Sequence, residues 1–155
     1  MYKTGISMKV TLLLLFCCIS AAINAQRVFP EKFANCQASP FSFETDSIVA
    51  KVDNKQLVNL IFQSLDTQAR ASIEGYLMLQ VVVGLDGRSC LLSLENKTNI
   101  PTSQRSLKSV IDSELVWQKP SRTTSAILLV VIGKNGVAVK RFGADPKGGW
   151  RVLKI

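Results

Sequence analysis

Histidine is missing from all 155 residues, which removes the side chain most often used for acid/base work near neutral pH and the commonest metal ligand. Any catalysis would fall to carboxylates, lysines or tyrosines, and the carboxylates do not converge. Asp112 and Glu114 stand two apart on an expected helix, so they point to different faces. Cysteine is sparse: Cys17 and Cys18 lie in an N-terminal apolar run, and only Cys36 and Cys90 follow it. Two cysteines so far apart do not make a zinc motif. Gly143, Gly148 and Gly149 precede no helix, so no glycine-rich phosphate cradle is present. No enzyme activity, metal or cofactor is expected. Beyond the first 25 residues, no apolar stretch reaches membrane-spanning length before a charge or turn signal breaks it.

What is present at the start reads as a secretory leader. Lys3 and Lys9 precede an apolar run from Val10 to Ile19, and small residues follow at Ser20, Ala21, Ala22 and Ala25. A spanning helix needs about 20 apolar residues, whereas this run offers roughly 14. Cleavage is expected after Ala25, with Ala22 as the other site, leaving Gln26 as the first mature residue. A lipid anchor on Cys17 or Cys18 is disfavoured, because a bulky Phe16 precedes them. The domain plan is then a signal peptide (1–25), an extended lead-in (26–52), an α+β domain (53–141) and a basic tail (142–155). The expected location is the periplasm or the exterior.

Charge is unevenly placed. The whole chain carries +8, and losing Lys3 and Lys9 leaves +6. Residues 26–118 carry nine basic and ten acidic side chains, whereas residues 119–155 carry eight basic ones against Asp145 alone. The basic tail residues Lys140, Arg141, Lys147, Arg151 and Lys154, with Trp150 among them, suit an anionic membrane surface or an acidic partner, or keep the protein soluble as a solvated edge. Trp150 either touches such a surface or docks back on the sheet. Nucleic acid is not an expected partner of a secreted protein. After cleavage Cys36 and Cys90 are the only thiols, and an oxidising compartment favours one bridge between them. The alternative is an unpaired, buried Cys90 with an exposed Cys36.

The periodicities predict a helix over 53–67, with Asp53 and Gln56 as a capping box and Leu57, Ile61 and Leu65 on one face. Two strands, 73–83 and 89–95, flank an Asp86-Gly87 turn and should pair antiparallel. A second helix, capped by Thr102 or Ser103, turns Leu107, Val110, Ile111 and Leu115 inward and stops at Pro120. Trp117 beside it reads as a core plug. A strand over 126–132 follows, and Asn135-Gly136 turns it into a short fourth strand over 137–141. This order, α-β-β-α-β(-β), predicts an α+β fold with a small antiparallel sheet of three or four strands and two helices on one face.

Alternation places Leu77, Leu79, Val81 and Val83 on the helix-covered face, joined by Cys90, Leu92 and Leu94. The other face carries Tyr76, Met78, Gln80 and Val82 with Ser89, Leu91, Ser93 and Glu95. It is too apolar to be wet and too polar for a second core. The lead-in, another copy or a partner should cover part of it.

The stretch Ile73-Glu74-Gly75-Tyr76-Leu77, the run from Gln80 to Val83, the Leu85-Asp86-Gly87 turn and the helix ending in Trp117-Gln118-Lys119-Pro120 together resemble the TonB carboxy-terminal domain. The strand from Ala126 to Ile132 with Gly133-Lys134-Asn135-Gly136 is similar to that family's last strand and turn. The resemblance covers roughly residues 53–141. It implies a non-enzymatic module that binds an outer-membrane or other envelope protein by pairing its last strand, here an outer edge, with an extended segment of the partner. Ile127, Leu129 and Val131 are the expected contacts. The family's Tyr-Pro before the first helix, its anchoring helix and its proline-rich spacer have no counterpart here. The binding role is therefore expected without the pulling role. A homodimer is a further partner option, and the alternative function is an envelope-associated structural protein held by its basic tail. Asn96-Lys97-Thr98 has the form of an N-glycosylation acceptor, which matters only in a eukaryotic source, whereas the resemblance implies a Gram-negative bacterium.

Overall fold

A computed structural model of the chain describes residues 27–36, 40–101 and 104–154. The expected leader and the expected helix cap at Thr102 or Ser103 lie outside them. The fold is α+β, as expected, but its mostly antiparallel sheet has seven strands with three helices among the described residues, not three or four strands with two. In chain order these are β1 (Glu31–Lys32), β2 (Ser42–Phe43), α1 (Asn54–Gln63), α2 (Thr67–Ser72), β3 (Gly75–Val83), β4 (Ser89–Thr98), α3 (Gln104–Glu114), β5 (Thr124–Gly133), β6 (Gly136–Ala144) and β7 (Trp150–Leu153). The sheet runs β1-β4-β3-β5-β6-β7, and β2 lies parallel to the start of β5.

The helix expected over 53–67 ends at Gln63, and an unexpected second helix, α2, begins at Thr67. Asp53 caps α1 by accepting from Lys55 N at 2.8 Å. Gln56, the expected return partner of a capping box, instead donates from Nε2 to Glu114 O at 3.3 Å, tying α1 to the end of α3. Asp66 then caps α2 by accepting from Ala69 N at 2.8 Å. One acid at each start satisfies a first-turn N–H group that has no intrahelical partner. Leu57, Leu60 and Ile61 of α1 and Leu107 and Ile111 of α3 are buried against Leu77, Leu79 and Val81 of β3 and Leu128 and Val130 of β5. Trp117 plugs the end of this core, as expected: it is buried, and its Nε1 donates to Ser89 Oγ at 2.6 Å.

Strand β4 departs from simple alternation. Gln80 pairs with Ser93 but Val81 pairs with Leu91, so Leu92 is an extra residue in β4. The bulge reverses which side chains face the helices over the first part of the strand. Leu91 and Leu94 both enter the main core, three residues apart, while Leu92 is buried outside it. The expected core positions of Cys90 and Leu92 are corrected accordingly, as is the outward position of Leu91. Ser89 also turns inward, donating to Leu115 O at 2.7 Å.

The lead-in is part of the fold. Glu31 and Lys32 pair with Leu94 and Ser93, and Phe33 N donates to Leu92 O at 3.0 Å. On the outer face Gln80 Oε1 accepts from Val28 N at 2.9 Å and from Ser93 Oγ at 2.6 Å, while Gln80 Nε2 donates to Ser125 Oγ at 3.2 Å. Phe29 N donates to Ser93 Oγ at 3.2 Å. A buried polar line across β4, β3 and β5 thus holds the lead-in over the sheet. It explains why that face reads as neither wet nor apolar.

Further along, β2 enters the fork where β5 and β6 part. Ser42 N donates to Thr123 O at 3.2 Å, and Ala144 N donates to Glu44 O at 2.6 Å. The approach to β6 is close: a Cβ on Gly143 would stand 2.3 Å from Thr45 O. Only glycine lets the two backbones meet there.

Candidate functional site

The tail expected over 142–155 is not a tail. Phe142, Gly143 and Ala144 complete β6, and Trp150–Leu153 forms β7, which pairs antiparallel with it. The basic side chains assigned to the tail are therefore distributed by the alternation of two strands. Lys140 and Lys147 are exposed. Arg151 turns to the lead-in, donating from Nε to Thr45 O at 3.0 Å and pairing through Nη2 with Asp46. Trp150 stands with its ring centroid 5.4 Å from that of Phe43, edge to face, so it docks in part on the lead-in while keeping an exposed side.

Arg141 faces the other way, toward the helices. Its Nε donates to Glu44 Oε2 at 2.5 Å and its Nη2 to Ala50 O at 3.0 Å. Glu44 Oε1 accepts from Val49 N at 2.7 Å and Ala50 N at 2.9 Å. The guanidinium carbon lies 5.0 Å from the Trp117 ring centroid. Both charged side chains are sealed from solvent, at 3% and 0% exposure. A buried charge needs a partner and filled hydrogen-bonding positions, and both carboxylate oxygens are used here. Glu44 was not singled out in the sequence. Its signal was the alternation Phe41-Ser42-Phe43-Glu44, which marks a short strand with an acid beside two aromatic residues.

Beside this pair a cleft of about 500 Å³ opens between the sheet and the segment leading into α1. Ile48, Val52, Leu128 and Val139 give it apolar walls, and Lys51, Arg141 and Lys154 give it cations. Asn54, the first residue of α1, and Gln118 also line it. Nothing in the linear pattern brings Lys51, Arg141 and Lys154 together.

The residues expected to meet a partner are placed differently from the expectation. Strand β5 is interior: it pairs with β3 along one side and with β6, from Ile127 to Gly133, along the other. The edge implied by the resemblance is filled by β6, which folds back through Asn135-Gly136. Ile127 is fully buried, Leu129 half-buried and Val131 39% exposed, all on the outer face. They can form part of a surface but cannot receive an added strand along β5. The sheet's terminal strand on that side is β7.

Cys36 and Cys90 are joined in a disulfide with Cα atoms 5.6 Å apart, fastening the lead-in to β4. Lys108 Nζ stands 3.5 Å from Cys90 Sγ, 3.2 Å from Leu91 O and 2.5 Å from Asp112 Oδ2. Asp112 Oδ1 accepts from Leu91 N at 2.6 Å. Asp112 and Glu114 do not meet; Asp112 serves this tie between α3 and the bulge. Asn96 accepts through Oδ1 from Thr98 N and Thr98 Oγ1 at 2.9 and 2.8 Å, a local turn contact. No protein family, curated protein or solved structure matches this chain, so the likeness to the TonB carboxy-terminal domain rests on the residues that carry it.

Proposed function

We propose that this chain is a non-enzymatic binding module of an extracytoplasmic compartment, capturing an extended segment of an envelope protein on a sheet edge. One observation supports it above the others: the sheet terminates in β7, whose far side pairs with no strand among the described residues. Its Trp150 and Val152 are 38% and 59% exposed. An edge strand offers unpaired backbone N–H and C=O groups to an incoming strand, while alternate side chains supply selectivity. Val152 and Trp150 are two apart and so share one face, the arrangement that grips every second side chain of an added strand. Lys147, exposed in the turn before β7, and Lys154, exposed just after it, favour acidic flanks on the partner. The leader in the sequence and the Cys36–Cys90 bridge both support an oxidising location.

The test is capture of a defined partner from envelope extract, followed by affinity measurement with Val152→Pro and Trp150→Lys. Proline removes a backbone donor from the edge, and neither side chain lies in the core. Both variants should keep the native circular dichroism spectrum and lose about tenfold or more in affinity. A folded Val152→Pro that binds the same partner unchanged would rule out pairing through β7.

A further inference from the structure

A second site lies on the opposite side of β6 from the exposed outer face. We infer that the cleft bounded by Arg141, Lys51 and Lys154 binds an amphipathic carboxylate, an aliphatic chain of medium length ending in a carboxylate group. Its volume of about 500 Å³ falls within the ~300–1,000 Å³ usual for small-molecule sites. The lining combines what such a molecule needs, cations and aliphatic side chains on the same cleft.

The cations act differently. Arg141 is 3% exposed and immobilised, because Glu44 holds its Nε and Ala50 O holds its Nη2. Its Nη1 makes no hydrogen bond to any described residue, and the side chain lines the cleft. A donor already fixed in place loses little conformational freedom when a carboxylate arrives. Glu44 cancels the charge of Arg141, so the net positive field comes from Lys51 and Lys154, which are exposed and free to close over a head group. Among the described residues, no acidic side chain lines the cleft. The Asn54 side chain adds a polar group to the lining, while the N-terminal end of α1 is already capped by Asp53.

The shape of the site argues against a small inorganic anion. Ile48, Val52, Leu128 and Val139 would stand idle around phosphate or sulfate. A further hollow of about 390 Å³ shares Asn54 and Val139 with the cleft and continues along the seam between α1 and β6, past Val58 and Val137, with Lys55 and Asn59 also lining it. Lys51, Arg141 and Lys154 line the first hollow, and Val58 and Val137 line the second beside Lys55 and Asn59. An aliphatic chain fits that arrangement: its carboxylate meets Arg141, Lys51 and Lys154, and its methylene groups leave water against the apolar side chains.

Lys154 serves both sites, but decanoate binding is read on the purified chain without a protein partner and the β7 variants Val152→Pro and Trp150→Lys leave the cleft lining intact, so the two readings fail separately. Decanoate, kept below its micelle-forming concentration, is titrated into the purified protein by calorimetry. Trp117 emission, read in a Trp150→Phe background, reports locally because its ring lies against Arg141. Expected is saturable one-to-one binding, about tenfold or more tighter than decanol, decylamine or acetate. Lys51→Glu combined with Lys154→Glu, both exposed positions, should weaken decanoate about tenfold or more while leaving the melting temperature unchanged. Absence of saturable binding would overturn the inference. So would equal binding of decanol or decylamine, equal binding of acetate, or an unchanged affinity in the folded double variant.

Discussion

Arg141 and Glu44 form an ion pair across 97 residues of sequence, joining β6 to the lead-in at a point where neither side chain reaches solvent. Glu44 also accepts two backbone N–H groups, from Val49 and Ala50, so the pair fixes the path of the chain into α1 as well as the seat of β2.

Removing one member leaves a buried charge without its counterpart. Arg141→Met or Glu44→Gln is expected to cost about 3–5 kcal/mol. The double variant should cost less than the two single losses added together, because the surviving charge is gone. Denaturant unfolding of the four proteins checks this, and strict additivity would contradict direct coupling.

The Cys36–Cys90 bridge closes a loop of 54 residues, for which the chain-entropy treatment gives about 4 kcal/mol as an upper expectation. Protein recovered from its native compartment should show neither thiol free to a label under non-reducing mass analysis. Reduction should lower the unfolding midpoint and raise hydrogen exchange at Phe33, whose amide is held by Leu92 O. Lys108 Nζ, 3.5 Å from Cys90 Sγ, favours the departing thiolate. Lys108→Met should therefore slow reduction by dithiothreitol several-fold.

Two glycines separate close approach from mere flexibility. Gly143→Ala would place a Cβ 2.3 Å from Thr45 O, whereas Gly133→Ala meets nothing within 4 Å. The first should destabilise by about 1–3 kcal/mol, in the manner of overpacking. The second should stay within about 0.5 kcal/mol. Thermal unfolding compared side by side decides it, and equal effects would mean that the 41–46 segment yields readily.

Processing is open to intact mass. The short apolar run and the small residues at Ala22 and Ala25 predict a mature species beginning at Gln26. A mature species retaining Lys3 through Ala25 and sedimenting with membranes would contradict secretion.

Elements whose signals are local were legible in the linear chain. Leu107 and Ile111 at helical spacing, with Leu115 just past the helix end, set the buried face of α3, and Asp86-Gly87 set the β3–β4 hairpin. The indole of Trp117 was recognisable as core, and the scarcity of cysteine pointed to the bridge that forms. Other features were set by contacts between distant segments. A bulge at Leu92 changes the facing of β4 without altering its composition, so alternation misassigned Cys90, Leu91 and Leu92. Strands β1, β2 and β7 have four residues or fewer, too short for a period to show, and each exists because an existing strand supplies its hydrogen-bond partners. The basic run near the C-terminus was legible as charge. Its division was not: Arg141 turns inward to Glu44, Arg151 turns to Asp46, and Lys154 stands over a cleft beside Lys51. Charge along a chain is additive and can be counted, whereas pairing depends on which side of a strand each residue occupies and what lies across from it. Only the folded sheet settles that.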